Sequence, residues 1–177
     1  MSQSRSHTEP AARGRFSHLD DEGRARMVDV STKAVTRRVA RASCRVLLDE
    51  HTVARLDAMP KGDAVAVARL AGIQAAKRVD ELIPLAHTLA LDHVGITIEP
   101  AEGGVTVRSE IVVTAKTGAE LEAMVACSNA ALALYDMVKA VDKGAMITDL
   151  RLDAKSGGRS GEWERDSAED ADVEEAP

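Results

Sequence analysis

The sequence predicts an α+β domain in which an antiparallel sheet carries two helices on one face. Three observations predict it. Four segments alternate apolar and polar residues with the period of two that marks a half-buried strand. Two longer segments repeat at helical spacing and open on capping residues. A Gly103-Gly104 pair joins two of the strands into a hairpin.

The elements follow in order. From Val39 to Asp49, Ala40, Ala42, Cys44, Val46 and Leu48 alternate with polar neighbours, predicting the first strand. A short helical piece follows and stops near Pro60. Asp63 is placed to cap a helix from Ala64 to Leu82, with Leu70, Ile73, Ala76 and Val79 on its inner face and Pro84 ending it. A second strand spans Leu91–Glu99, with Val94, Ile96 and Ile98 inward. After the glycine pair, Val105–Ala115 turns Val105, Val107, Ile111 and Val113 to one side, with Ser109 as the polar exception. Thr117 and Glu120 read as a capping box for a long helix to Asp142, carrying Leu121, Met124, Val125, Leu132, Tyr135, Met137 and Val138. Gly144 is its expected stop. Met146–Ala154 is the last strand, with Met146, Leu150, Leu152 and Ala154 on one face. Strand, helix, strand, strand, helix, strand is the split βαβ, or ferredoxin-like, order.

Composition bounds the function. Apolar residues make up 45% of the 177 and charged residues 29%, an ordinary globular balance. Aromatic residues are only 2%, which argues against a base-stacking nucleic-acid platform. No apolar run approaches the ~20 residues of a membrane span, and MSQSRSHTEPAARGR has no apolar core, so no secretory signal is expected. Two cysteines cannot make a disulfide framework, so a reduced, cytoplasmic setting is expected. From residue 164 onward lie seven acids (Glu164, Asp166, Glu169, Asp170, Asp172, Glu174, Glu175) and one base, Arg165, which account for the whole net charge of -6. The expected organisation is therefore a disordered tail over residues 1–15, a folded domain over 16–163, and a disordered acidic tail over 164–177.

Several residues are chemically placed. Asp136 and Lys139 share a face of an apolar helix, as a surface ion pair or as an acid/base pair at a cleft. Burial pushes a lysine toward neutrality while a neighbouring carboxylate opposes it, and that competition is expected to bring Lys139 near proton exchange. His87 follows the helix stop at Pro84, as a core histidine or as a loop-borne binding group. His93 is six residues further on, at no metal-motif spacing, and no metal site is expected. Glu120 and Glu122 occupy a first helical turn, where carboxylates suit the helix dipole. Lys61, Lys77, Lys155 and Arg159, the last two around Gly157-Gly158, are suited to an anion.

Six strings together are more specific: MVDVSTK from Met27, KGDAVAVARLAGIQAAKR from Lys61, LIPLAHTL from Leu82, TGAELEAM from Thr117, YDMVKAVDKG from Tyr135 and AKSGGRSG from Ala154. They closely resemble the MoaC family of cyclic pyranopterin monophosphate synthases in molybdenum-cofactor biosynthesis. The resemblance implies a ferredoxin-like subunit in a homohexamer, a trimer of dimers with sites at dimer interfaces. It implies a lyase that takes a cyclised GTP intermediate, (8S)-3′,8-cyclo-7,8-dihydroguanosine 5′-triphosphate, rebuilds its purine part as a pyranopterin, closes a cyclic phosphate and expels diphosphate. No cofactor is required, with magnesium left open as a companion of the triphosphate. Carried onto this chain, Asp136, Lys139 and Lys61 match the catalytic positions. Leu85, Ala86 and His87 match the substrate-binding loop. Glu120, Leu121 and Glu122 cover a second binding stretch, and Lys77, Lys155 and Arg159 fall near phosphate. Asp29 and Arg38 are minor candidates. Ala86 stands where the family commonly has Cys, Thr88 where it has Pro and Leu121 where it has Met, which argues against a cysteine nucleophile in that loop. The alternative is a non-catalytic nucleotide- or small-molecule-binding regulator on the same fold.

Overall fold

The computed structural model describes residues 22–159 and 161–166. The strands are β1 (Thr36–Leu47), β2 (Leu91–Ala101), β3 (Gly104–Ala115), β4 (Met146–Ser156) and the short β5 (Trp163–Glu164). They form one antiparallel sheet in the order β2-β3-β1-β4-β5. The helices are α1 (Glu50–Val53), α2 (Ala64–Ala76), α3 (Val79–Leu82) and α4 (Glu120–Val138), with a 3-10 turn at Leu56–Ala58. α4 crosses β1, β3 and β4, α2 covers β2, and α2 packs along α4. This is the expected ferredoxin-like arrangement.

The first three long strands follow their alternation. Ala40, Ala42, Cys44 and Val46 of β1, and Val105, Val107, Ile111 and Val113 of β3, are all buried against the helices. Ser109, the polar exception, is buried too and donates to the Ala123 carbonyl of α4 at 2.7 Å. Cys44 and Cys127 are free, buried thiols with sulfurs 3.4 Å apart.

The helices depart from the expected pattern. Leu70 is 68% exposed, and Leu121, Leu132 and Tyr135 also reach solvent. Ala76, Met137 and Val138 are buried as expected, and Leu134 with them, but most of the buried residues are small: Ala64, Ala68, Gly72, Ala75 and Ala76 on α2, and Ala123, Ala126, Cys127, Ala130 and Ala131 on α4. Close approach explains this. A Cβ at Gly72 would lie 2.8 Å from the Ala126 carbonyl oxygen, so the two backbones meet where large side chains have no room. α4 is long and apolar enough by composition to cross a membrane, but about half of that stretch is buried inside this core.

Helix ends differ as well. Asp63 caps α2 as expected, accepting from Ala66 N at 2.9 Å. The helix breaks at Lys77 rather than running to Leu82, with no glycine or proline to mark the break. The capping box does not form: α4 starts at Glu120, so its N-cap is Ala119, which has no polar side chain to cap with, and the Glu120 carboxylate, at the first helical position, bonds Lys155 instead. α4 ends at Val138, and Gly144 sits beyond it, its N–H donating to Asp142 Oδ1.

β4 also breaks its alternation. Met146 and Leu150 are exposed, because bulges shift its register against β1 on both sides of Ser43 and Asp149 takes φ +57°. At the C-terminal end, Glu164 pairs with Ala154, and Arg165 donates from its backbone to Asp153 O and from its side chain to Leu152 O. The described chain thus runs past the boundary expected at Trp163. The expected tail over residues 1–15 and most of the acidic tail lie outside the described residues.

Candidate functional site

A cluster of charge forms at the C-terminal end of α4. The loop before α2 brings Lys61 to it. That loop is tightened by a Gly62 N–H to Met59 O bond of 2.8 Å, with Gly62 at φ +106°, where only glycine is unstrained. Lys61 Nζ donates to Asp136 Oδ2 at 2.7 Å and to the Asp136 main-chain oxygen at 2.8 Å. Lys139 Nζ reaches Asp136 Oδ1 at 2.7 Å from one turn along. Asp136 therefore sits between two ammonium groups. Their hydrogen bonds, from Lys139 first and then Lys61, hold its carboxyl down to about 2. The same bond raises Lys139. The expectation that burial brings Lys139 toward neutrality is overturned: its side chain is 52% exposed and the carboxylate holds the proton on it. Both lysines enter as cations.

A second constellation forms at the opposite end of α4. A cavity of about 320 Å³ is lined by Leu85, Ala86 and His87 of the loop after α3, by Glu120, Leu121 and Glu122 of α4, and by Val28, Val30 and Lys33 of the N-terminal segment. The two stretches matched to substrate binding thus meet. His87 Nε2 lies 2.9 Å from Val28 O. A carbonyl only accepts, so Nε2 carries the proton and Nδ1 is the ring atom left for a ligand. Lys155 Nζ bonds Glu120 Oε1 at 3.1 Å, joining β4 to this end. Glu122 is 4% exposed and, among the described residues, has no cation paired with it. Burial raises its carboxyl to about 7, helped by the charges of Glu120 and Asp80 and offset by a bond from its own backbone N–H.

The other expected residues fall into place around this cavity or away from it. Arg159 lines a neighbouring cavity of about 730 Å³ with Thr32, Lys33, Arg38 and Gly158, so the two cavities share Lys33. Lys77 is the exposed C-cap of α2 and lines neither. Asp29 is turned to its own segment, accepting from Ser31 N at 2.8 Å. Arg38 donates to the carbonyls of Ala115 and Lys116. Val28, Val30 and Lys33 were not singled out as site residues. They lie outside any helix or strand, where no periodicity exists, and only the MVDVSTK string pointed to their segment. Among the described residues no group of three or more His, Cys, Asp or Glu could hold a metal.

The two constellations do not meet within one chain. Glu120 and Asp136 lie on one continuous helix, and sixteen residues at 1.5 Å each put them about 24 Å apart along its axis.

The MoaC family model matches residues 27–158. The cyclic pyranopterin monophosphate synthase of Streptomyces avermitilis is 51% identical over 158 residues, covering 88% of this chain and 93% of the relative. That of Streptomyces griseus is 49% identical over 168 residues, covering 94% and 95%. The cyclic pyranopterin monophosphate synthase 3 of Mycobacterium tuberculosis is 50% identical over 163 residues, covering 90% of each. The matched span runs from Met27 to Gly158 and takes in both constellations, and the chain belongs to the MoaC family.

Proposed function

We propose that this chain is a cyclic pyranopterin monophosphate synthase of molybdenum-cofactor biosynthesis. In this reading it converts (8S)-3′,8-cyclo-7,8-dihydroguanosine 5′-triphosphate to cyclic pyranopterin monophosphate and diphosphate, as a phosphorus–oxygen lyase. The observation that carries the reading is the Lys61–Asp136–Lys139 cluster, because a binding regulator needs cations for phosphate but no carboxylate clamped between two proton donors.

The residues divide the work. In the cavity, the Glu120 and Glu122 carboxyls suit the N–H edge of a guanine-derived ring, and His87 offers Nδ1. Lys33 sits where this cavity opens toward Arg38 and Arg159, a basic route for a chain of phosphates. Lys61 and Lys139 are charged and held in place, so they act first as proton donors and as cover for the charge that leaves with diphosphate. Base duty at either lysine begins only after it has given up its proton. Asp136 aims both ammonium groups and offsets their repulsion. No resident metal or cofactor is proposed; magnesium would travel with the triphosphate.

A separation of about 24 Å is too long for one ring system to touch both ends of α4. We propose that a second copy closes the site. A two-fold axis that sets the Glu120 end of one chain beside the Asp136 end of another makes two identical sites at once. The full assembly in this proposal is a homohexamer in the cytoplasm, with no nucleic-acid or membrane partner. The test supplies the cyclised GTP intermediate and follows pyranopterin and diphosphate by mass. Conversion by wild type and not by Asp136→Asn supports the reading. Tight binding without conversion favours the regulator. Sedimentation of an active monomer would remove the second copy.

A further inference from the structure

The loop that carries His87 is closed on itself by a bond no functional assignment uses. Thr88 Oγ1 donates to Asp80 Oδ2 at 2.6 Å, across eight residues of sequence. Asp80 lies on α3, the short helix that leads into the loop, and Thr88 directly follows His87. The bond therefore ties the exit of the loop to its entry. Within it, the Ala86 N–H to Ile83 O bond of 3.0 Å forms a turn around Pro84 and Leu85. His87 itself is held by the Val28 carbonyl, on a segment with no regular structure. The ring thus depends on one irregular strap in front and on the Asp80–Thr88 bond behind.

We propose that Asp80 and Thr88 are positioning residues: their hydrogen bond fixes the backbone behind His87 and so sets the direction in which its Nδ1 meets substrate. The proposal rests on the function argued above. A hydroxyl on a carboxylate at this length is a charge-assisted bond, stronger than a neutral one. Its two ends reach solvent, so its contribution to global stability is small. Its effect on orientation is not, because a displacement of about 1 Å in a reacting group is enough to cost a large factor in rate.

The test compares Thr88→Val, Thr88→Ser, Asp80→Ala and the Asp80→Ala/Thr88→Val double variant in the full-length protein. Valine keeps the shape and deletes the hydroxyl. It should lower kcat about tenfold with KM changed less than about threefold, while the melting temperature holds. Serine restores the hydroxyl and should restore kcat. Asp80→Ala should match Thr88→Val, and the double variant should be no worse than either, since both remove one bond. A kcat for Thr88→Val within twofold of wild type overturns the proposal, as does a serine variant equally impaired or losses that multiply. Amide hydrogen exchange over residues 83–88 reads the latch without the reaction. It should quicken about tenfold in Thr88→Val and nowhere else. Unchanged exchange overturns the latch. An inactive wild type whose loop exchange still quickens in the variant counts against the function and supports the latch.

Discussion

Replacing Glu122 by glutamine should stabilise the protein, and the gain should depend on pH. Glu122 is almost wholly buried, with carboxylates rather than cations beside it, and its carboxyl rises from an ordinary 4.5 to about 7. Below the lower value both folded and unfolded chains hold the proton, and the residue costs nothing. Between the two values the unfolded chain releases a proton that the folded chain keeps, so stability falls as pH rises. Above about 7 the fold carries an ionised buried carboxylate and the full penalty applies. At 1.36 kcal/mol per unit, the penalty is about 3 kcal/mol. Glutamine has nearly the same shape and no charge to desolvate. Urea unfolding of both proteins at one protomer concentration, at about pH 5, 6.5 and 8, measures the gap. It should be small at the first, grow through the second and level off by the third. A gap that is constant with pH, or one that favours glutamate at pH 8, would refute the argument that burial dominates at this position.

Three further outcomes follow from the same geometry. Asp136→Asn should fold and assemble, yet lose turnover by about a hundredfold or more, since an amide cannot hold two ammonium groups in charge balance; circular dichroism and product assay together check this. Lys139→Arg should keep substrate binding, because its charge persists, and lose kcat by about a hundredfold, because a guanidinium does not release its proton; retention of most turnover would leave Lys139 a charge donor only. Gly72→Ala should destabilise the fold by about 1–3 kcal/mol in equilibrium unfolding, because its methyl has no room beside the Ala126 carbonyl.

What could be read beforehand follows a physical divide. β1, β2 and β3 were legible because alternation in a strand is enforced by the pleat itself, so that even the small Ala40, Ala42 and Cys44 of β1 stand out against Arg41, Ser43 and Arg45 between them. The inner faces of α2 and α4 were legible only in part: Met137 and Val138 are inward as expected, but alanine and glycine carry little hydrophobic signal, while Leu70, Leu132 and Tyr135 outshine them from the solvent side. β4 hid its bulges and the left-handed Asp149 for a related reason: nothing in Thr148-Asp149-Leu150 announces a shift in register. At the site, family strings placed the loop at Leu85–His87 and the turn at Glu120–Glu122, and the fold brought them together. The spacing of Asp136 and Lys139 foretold their contact, but only tertiary structure brings Lys61 to the same carboxylate. Glu122 could not be told from an ordinary first-turn acid, since its burial depends on the elements packed around it.

The length of α4 has a genetic consequence. If each site takes its histidine end from one chain and its aspartate end from another, then defects at the two ends are complementary. An Asp136→Asn chain retains a sound His87, and a His87→Ala chain retains a sound Asp136. Paired together, they build one site with both halves intact and one with neither. Unfolding and reassembling an equal mixture of the two dead proteins should therefore revive about a quarter of the sites, given random pairing across a two-fold interface. By the same logic a wild-type allele expressed beside either mutant shares its chains with it, and activity falls by dilution of whole sites rather than by slowing of each one.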